Sequence, residues 1–425
     1  MRKFTFTLIA LLAAGSLTPA MAQGKPAENE VTVSAQIRTR AEYRNGALTP
    51  RSEGDDAAGF INERARIGID YRRQNLEMKF SAQHVGVWGQ DALVDKNGRF
   101  ILNEAWAKIN IDNAWFLQAG RQALAYDDER LLGGLDWNVA GRYHDALKIG
   151  FEKNGHKLHA ILAFNQNNEN TTGTYYDDSS TGLYKAMETL WYHYQTTGDD
   201  PFGISLLFIN LGKEAGDSDN PDTKYTQTFG THITYKPGIV DLTGSFYYQT
   251  GKTTAGRSVS AYMGSIKAGF AVSPQWTITV GEDWLSGSDS STGDYKAFDP
   301  LYGTHHKFYG GMDYFYASSW ASGYAPGLSD TQLGLSFKAS NPVKIALNYH
   351  YFATAVDLDD IDRGLGSEID LQVDWKVMKD VTLTAGYSTM FGTSALDTLK
   401  GGNHKSWQDW AWISLNINPS VFFKF

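Results

Sequence analysis

Residues 31–44 read VTVSAQIRTRAEYR, and polarity alternates along this whole stretch. The odd positions carry a mainly apolar set: Val31, Val33, Ala35, Ile37, Thr39, Ala41 and Tyr43. Because successive side chains of a strand point to opposite faces, the stretch predicts a strand with one apolar and one charged face. The same alternation recurs at 64–71, 104–111, 368–375 and 411–417, so strands of this type are expected throughout the chain.

The connections between these strands have two sizes. Eight are tight, at about 74–75, 112–113, 154–155, 198–201, 237–238, 273–274, 341–342 and 379–380. The longer polar ones include 45–59, 124–142, 166–187, 212–223, 286–329 and 353–366. Tight turns on one side and long loops on the other are typical of outer-membrane barrels. Eight hairpins, a first strand over about 31–44 and a last one over about 406–425 predict one all-β, antiparallel transmembrane barrel of 18 strands, with 16 as the nearest alternative.

Two other β architectures compete with this fold. A soluble sandwich or propeller does not explain strands of about 10–14 residues that end in tyrosine or tryptophan, whereas a tilted membrane strand needs about 9–11 residues and aromatic ends. Phe423 and Phe425 also resemble the assembly signal at the end of such barrels. A TonB-dependent transporter needs about 22 strands and a plug, for which the chain has no room.

The N-terminus predicts export. Arg2 and Lys3 precede an apolar run at 4–14, and Ala20-Met21-Ala22 fits a small-x-small cleavage site. We therefore expect a signal peptide at 1–22, a short periplasmic segment at 23–30 and the barrel at 31–425. The alternative, a membrane-anchoring helix, is disfavoured because the apolar run is shorter than the roughly 18 residues that a spanning helix needs.

Composition excludes several functions. The chain has no cysteine, which rules out a disulfide framework and thiolate metal sites. Its net charge of −9 argues against nucleic-acid binding. The negative total hides an uneven distribution, because 12 of the 15 arginines lie within 31–150.

Several of these arginines lie on strand faces that must point inward. Arg38, Arg40, Arg64 and Arg66 occupy the middle of two consecutive strands, where a charge facing lipid would cost about 2–4 kcal/mol. Arginine stays ionised and holds a carboxylate through two hydrogen bonds, so a row of arginines suits an anion path. The alternative is that they only fill a polar wall by pairing with six acids: Glu42, Asp70, Glu77, Glu104, Asp136 and Asp145. Asp70, Glu104 and Lys108 share the inward parity and join the predicted pathway.

Residues 120–146, GRQALAYDDERLLGGLDWNVAGRYHDA, resemble the signature of the alginate-export family of outer-membrane porins. A second similar stretch is DPLYGTHHKFYG at 299–310. The resemblance implies an eighteen-stranded barrel whose arginine-lined constriction passes a linear polyuronate. It places Arg121 and Arg142 at the constriction, with Arg130 and His144 beside them. The predicted pathway also includes Lys148.

One feature departs from the family. The resemblance implies a long late periplasmic turn that helps to close the pore, whereas the turn at 378–380 is tight.

The sequence predicts a passive pore for anionic saccharides, such as uronate oligomers or polymer. A general porin is the main alternative. A hydrolase or acyltransferase at the barrel rim is a remote one, since no G-x-S-x-G elbow occurs.

The expected surroundings follow from this interpretation. We expect the outer membrane of a Gram-negative bacterium, contact with its lipid and lipopolysaccharide, and periplasmic secretion or uptake components as further partners. No catalytic residue, cofactor or metal site is predicted, apart from loosely bound calcium at the acidic loops. The pair His305-His306 is interpreted as part of a packed loop inside or over the barrel, because adjacent extended residues point opposite ways.

Overall fold

The computed structural model describes residues 28–92, 94, 100–179, 182–289, 292–321, 323–339 and 342–425. The predicted signal peptide at 1–22 lies outside these ranges, as does the predicted segment at 23–30 up to residue 27. No helix in the described ranges is long and apolar enough to cross a membrane.

Strands account for nearly all regular structure in the described ranges. Their bounds are β1 (Glu30–Asn45), β2 (Ala58–Arg73), β3 (Leu76–Val87), β4 (Ile101–Asn110), β5 (Trp115–Gln122), β6 (His144–Lys153), β7 (His156–Phe164), β8 (Ala186–Gln195), β9 (Phe202–Glu214), β10 (Thr223–Tyr235), β11 (Val240–Lys252), β12 (Ser258–Ala271), β13 (Trp276–Leu285), β14 (Leu328–Lys338), β15 (Val343–Ala353), β16 (Gly364–Met378), β17 (Val381–Gly392), β18 (Gln408–Ile417) and β19 (Ser420–Lys424). One short α-helix, α1 (Ser394–Lys400), lies between β17 and β18, and a single 3-10 turn covers His305–Lys307.

The strands close into a barrel. From β1 to β18 each is antiparallel to the next along the chain, and β1 pairs with β2 on one side and with both β18 and β19 on the other. β18 and β19 are two parts of one barrel strand, interrupted at Asn418 and Pro419, where proline cannot donate to the ladder. The predicted closed, antiparallel barrel of 18 strands is therefore confirmed.

The alternating faces point as their chemistry requires. On β1 and β2 the apolar side chains Ile37 and Ile67 are about half exposed on the outer surface, whereas Arg38 and Arg64 are buried inside. A membrane barrel must show apolar groups to lipid and keep charged groups in its lumen.

The two rims of the barrel differ. Tight turns such as that between β2 and β3 lie on one rim, where the start of β1 meets the C-terminus, since Asn29 N donates to Phe425 O at 2.8 Å. On the other rim, two long connections fold back into the lumen. We call residues 123–143 the first lumenal loop and residues 286–327 the second lumenal loop. They join through a parallel bridge between Leu132 and Tyr302.

The lumenal loops pack against apolar side chains of several strands. Inward side chains of β7–β9 and β12 form a hydrophobic core with them: Ile161, Met187, Leu207, Ile209 and Met263 from the wall, and Leu124, Leu131, Leu132, Tyr309 and Met312 from the loops. We call these five wall residues the apolar wall. Burial of this surface holds the loops inside the barrel. Cavities with arginine side chains remain along the wall formed by β1 and β2.

Candidate functional site

The first lumenal loop reaches the arginines of β1 and β2 through one carboxylate. Arg38 lies directly opposite Arg64 across the two strands, an arrangement that repels. Asp136 bridges the pair: its Oδ2 accepts from Arg38 Nη1 at 3.2 Å and its Oδ1 from Arg64 Nη2 at 2.7 Å. The carbonyls of Asp136 and Asn138 also accept from Arg38, at 2.7 and 3.1 Å. A single acid thus serves two guanidinium groups.

A second carboxylate is shared nearer the long-loop rim. Glu42 accepts from Arg40 Nε and from Arg44 Nε, both at 2.8 Å. Arg40 also stacks on the Trp137 ring, 3.8 Å from its centroid, and the His306 ring covers that indole at 3.7 Å. Cation–π contact and stacking therefore fix Trp137 between the wall and the second lumenal loop. We call Arg38, Arg40, Arg44, Arg64 and Arg66 the arginine wall.

Arg66 and Arg142 line the described lumen and contact only neutral partners. Arg66 donates from Nε and Nη2 to Gln83 Oε1 at 2.9 and 2.6 Å. Arg142 donates from Nη1 to the carbonyls of Tyr302 and Gly303, the latter at 3.0 Å. Burial lowers the pKa of Arg142 from its ordinary value, and no carboxylate opposes that effect. These two guanidinium groups satisfy hydrogen bonds without being neutralised.

Cavities lie on both sides of the segment that carries Asp136. One of about 550 Å³ on the long-loop side is lined by Arg40, Arg44 and Arg142 among others. One of about 220 Å³ on the tight-turn side is lined by Arg64 and Arg66. Together the arginine wall and Arg142 present six guanidinium groups, whose partnered carboxylates are Glu42 and Asp136. The surplus makes the local charge positive although the chain is acidic.

The predicted residues nearer the tight-turn rim mix both charges. Asp70 and Glu104 line the smaller cavity, and Glu104 pairs with Lys79 at 2.9 Å. Lys108 pairs with Glu77 at 3.4 Å and lies over the Phe116 ring. This part of the lumen is closer to electrical balance than the arginine wall.

Three further predicted residues lie inside the loop packing. Arg130 is 4% exposed and pairs with Asp128 at 2.7 Å and Asp283 at 2.8 Å. Burial opposes its charge, but the carboxylates outweigh burial and raise the pKa of Arg130. His144 Nδ1 bonds the Tyr184 hydroxyl at 2.9 Å, and Lys148 lies over the Tyr126 ring. These contacts anchor the first lumenal loop.

Arg121 lies on the outer surface, which differs from the expectation of a lumenal side chain. It shares its strand face with Trp115 and Ala119, both exposed, while Gln118 and Gln122 are buried inside. Both its Nε and Nη2 bond the Asp145 carboxylate, at 3.0 and 2.9 Å. A charged side chain is tolerated on the outer surface here because Arg121 lies at the long-loop end of β5, and a charge near the membrane interface costs only about 0–1 kcal/mol.

Backbone strain concentrates in the lumenal loops. Seven of the eleven described non-glycine residues with positive φ lie there: Asp127, Glu129, Leu135, Leu301, Tyr309, Asp313 and Tyr316. Residues keep such strained backbone conformations only where many surrounding contacts hold them, and they cluster at functional sites. No group of three His, Asp or Glu residues in the described ranges is arranged as metal ligands.

Sequence reasoning missed part of this site. It left open whether the second lumenal loop lies inside or over the barrel, and it did not identify Gln83 as the neutral partner of Arg66. It also did not apply strand parity to 115–122, although Trp115, Leu117 and Ala119 alternate with Phe116, Gln118 and Gly120. That parity would have placed Arg121 with the outward set.

A closed 18-stranded barrel with apolar side chains outside and charged ones inside defines an outer-membrane diffusion pore of a Gram-negative bacterium. Residues 29–405 match the family model described as Alginate export. The chain belongs to the alginate export family. Both the family and the fold are those of a channel.

Solved structures share the fold at low identity. The outer membrane protein OpdK from Pseudomonas aeruginosa has a TM-score of 0.62 at 10% identity, covering 92% of this chain and 99% of that one. A BenF-like porin from Pseudomonas fluorescens has a TM-score of 0.61 at 12% identity, covering 92% and 99%. OpdK with vanillate has a TM-score of 0.59 at 9% identity, covering 93% and 99%. None of the curated proteins compared with the chain matches it.

Proposed function

We propose that the pore passes anionic saccharides, uronate oligomers or polymer, along the arginine wall and Arg142. The observation that carries this proposal is the charge surplus: of six guanidinium groups, four share the carboxylates of Glu42 and Asp136, and those of Arg66 and Arg142 bond neutral groups. A carboxylate that passes through the pore loses water and binds a guanidinium group through two hydrogen bonds. This requires a guanidinium group that is not already paired with a carboxylate of the protein. Arg66 and Arg142 meet that condition best.

The spacing of the arginines supports stepwise passage. Arg44, Arg40 and Arg38 follow one another along β1 toward the tight-turn rim, with Arg66 further along on β2. Strand residues rise about 3.3 Å each, so arginines two residues apart are about 7 Å apart along the wall. A chain with one carboxylate per sugar can contact several such sites at once, each weak enough to release.

Membership of the alginate export family adds support for a uronate cargo. The expected partners and the calcium at the acidic loops stay predictions. The Arg121–Asp145 pair on the outer surface is left out of the path.

The test is anion selectivity of the purified barrel in planar bilayers. In a KCl gradient we expect a reversal potential on the anion side and block by alginate oligomers. The double variant Arg66→Gln/Arg142→Gln should lose most of both effects, and Arg66→Lys/Arg142→Lys should retain the selectivity. Cation selectivity of the unmodified protein, or no change in the glutamine variant, would instead favour a general porin.

A second candidate cargo is a small aromatic acid. The cavity of about 550 Å³ combines Arg40 and Arg142 with the aromatic side chains of Phe60, Trp137 and Trp410. A structural neighbour at 9% identity was solved with vanillate. Liposome uptake assays that compare vanillate with D-glucuronate separate the two cargoes: faster vanillate entry that depends on Trp410 favours the aromatic acid.

A further inference from the structure

A separate cavity of about 350 Å³ opens at the long-loop ends of β9–β12. β10 is nine barrel strands from β1, so the cavity lies across the lumen from the arginine wall. Its lining includes the apolar side chains of Leu211, Val259 and Leu301 together with the Tyr295 ring. Its volume suits a ligand the size of one sugar acid.

The lining of this cavity is strongly basic. Lys213, Lys224, Lys252 and Arg257 line it, and Asp299 is the one acidic residue among the lining side chains of the described chain. Lys213 lies directly opposite Lys224 on the neighbouring strand. Like charges in that position repel, so the sheet itself gains nothing from them.

The two lysines differ in their partners. Lys224 pairs with Asp222 at 2.6 Å. Lys213 makes no ion pair with a described carboxylate, and the adjacent Glu214 pairs with Lys185 at 2.6 Å. An ammonium group at the cavity is therefore left for an anion that the chain does not supply.

The back of the cavity is held in place before any ligand arrives. Gln249 Nε2 donates to Asp299 O at 2.7 Å, and Asp299 N donates back to Gln249 Oε1 at 2.9 Å. Arg257 Nε donates to Gly293 O at 3.1 Å and lies over the Tyr295 ring. A preformed site loses less entropy on binding.

We propose that this cavity is a second anion site, which binds the carboxylate of a single sugar acid between Lys213 and Lys224. The sugar ring then contacts Tyr295 and Leu301. Residues 299–301 lead directly into Tyr302, whose carbonyl accepts from Arg142, so the second lumenal loop connects this site with the constriction. The inference goes beyond the proposed function, because the site can bind whether or not the arginine wall selects anions.

The test measures binding of D-glucuronate to the full barrel in detergent by titration calorimetry, with D-glucose as the uncharged control. The measurements use the Arg66→Gln/Arg142→Gln background, which removes the two guanidinium groups that contact no carboxylate. We expect saturable glucuronate binding. Lys213→Gln should weaken it about tenfold, because one charge-assisted contact is lost, and Lys213→Arg should restore it. Lys236→Gln, which breaks an ion pair to Asp241 at the tight-turn rim, should leave it unchanged.

Equal binding of glucose, or glucuronate binding that Lys213→Gln/Lys224→Gln does not weaken, would overturn the site. Heat-modifiable migration on gels verifies that each variant is folded. Bilayer recordings of the Lys213→Gln/Lys224→Gln variant separate this inference from the proposed function. Retained anion selectivity with lost binding supports the second site, whereas lost selectivity with unchanged binding contradicts it.

Discussion

Two sides of the lumen contact the lumenal loops in different ways. The apolar wall buries Ile161, Met187 and Ile209 against the lumenal loops, with all three side chains fully buried. The arginine wall meets the same loops through polar and cation–π contacts, such as those of Asp136, of the Trp137 carbonyl with Arg40 at 2.8 Å and of the Trp137 ring with the same guanidinium. The loops are thus attached firmly to one side and lightly to the other, which leaves the polar path along the arginines.

This difference separates anchoring arginines from pathway arginines. Arg130 has two carboxylate partners at the apolar side, whereas Arg66 has a glutamine. A fully paired, buried guanidinium stabilises a loop, and one with neutral partners remains able to attract an anion. Four measurements test the distinction.

The largest effect is expected from Arg130→Gln. This change leaves the buried carboxylate of Asp283 without its cation, which should lower the free energy of unfolding by about 3–5 kcal/mol. Urea unfolding followed by tryptophan fluorescence measures it. The double variant Arg130→Gln/Asp283→Asn should recover much of the loss, and a small loss in the single variant would show that the pair does not hold the loop.

Asp136→Asn should act on selectivity in the opposite direction from Arg66→Gln. It removes one of the two carboxylates that pair with the arginine wall, so the anion-to-cation permeability ratio should rise, about twofold. Reversal potentials in a salt gradient measure this. Asn138→Asp places an added carboxylate in the same segment and should lower the ratio; a fall with Asp136→Asn would contradict the assignment.

Acid should loosen the second lumenal loop through His305. Burial lowers the pKa of this imidazole, helped by the nearby Arg142, so the docked loop takes up a proton less readily than the free loop. Docking is therefore at full strength above about pH 6.5 and weakens as the pH falls below it. Open-channel noise should increase between pH 7 and pH 5. His305→Gln should abolish that pH dependence, and persistence of the same dependence in the variant would exclude His305.

The smallest effect is expected from Arg121→Gln. Because this arginine pairs with Asp145 on the outer surface, its loss should leave selectivity unchanged and cost about 1 kcal/mol or less. The reversal potential is compared with that of Arg66→Gln under the same gradient. An equal shift in both variants would place Arg121 in the lumen and contradict its assignment to the outer surface.

The barrel was predictable because its determinants are local. Alternation such as that in 31–44 fixes which side chains face lipid, and the turn lengths fix the strand count and the rim at which both chain ends lie. The same alternation predicts that the side chains of Arg38 and Arg64 point into the lumen. It would have given the outward direction of Arg121 as well, since Trp115 and Ala119 share its face.

The sequence by itself determined the barrel, its membrane face and the concentration of arginine on the first strands, because a two-residue repeat needs no knowledge of distant contacts. Only the tertiary structure decided which arginines are neutralised. Asp136 lies about a hundred residues from Arg38 along the chain, and Asp283 is further still from Arg130. Those pairings depend on two loops folding into the lumen, and burial against the apolar wall, not local pattern, holds them there.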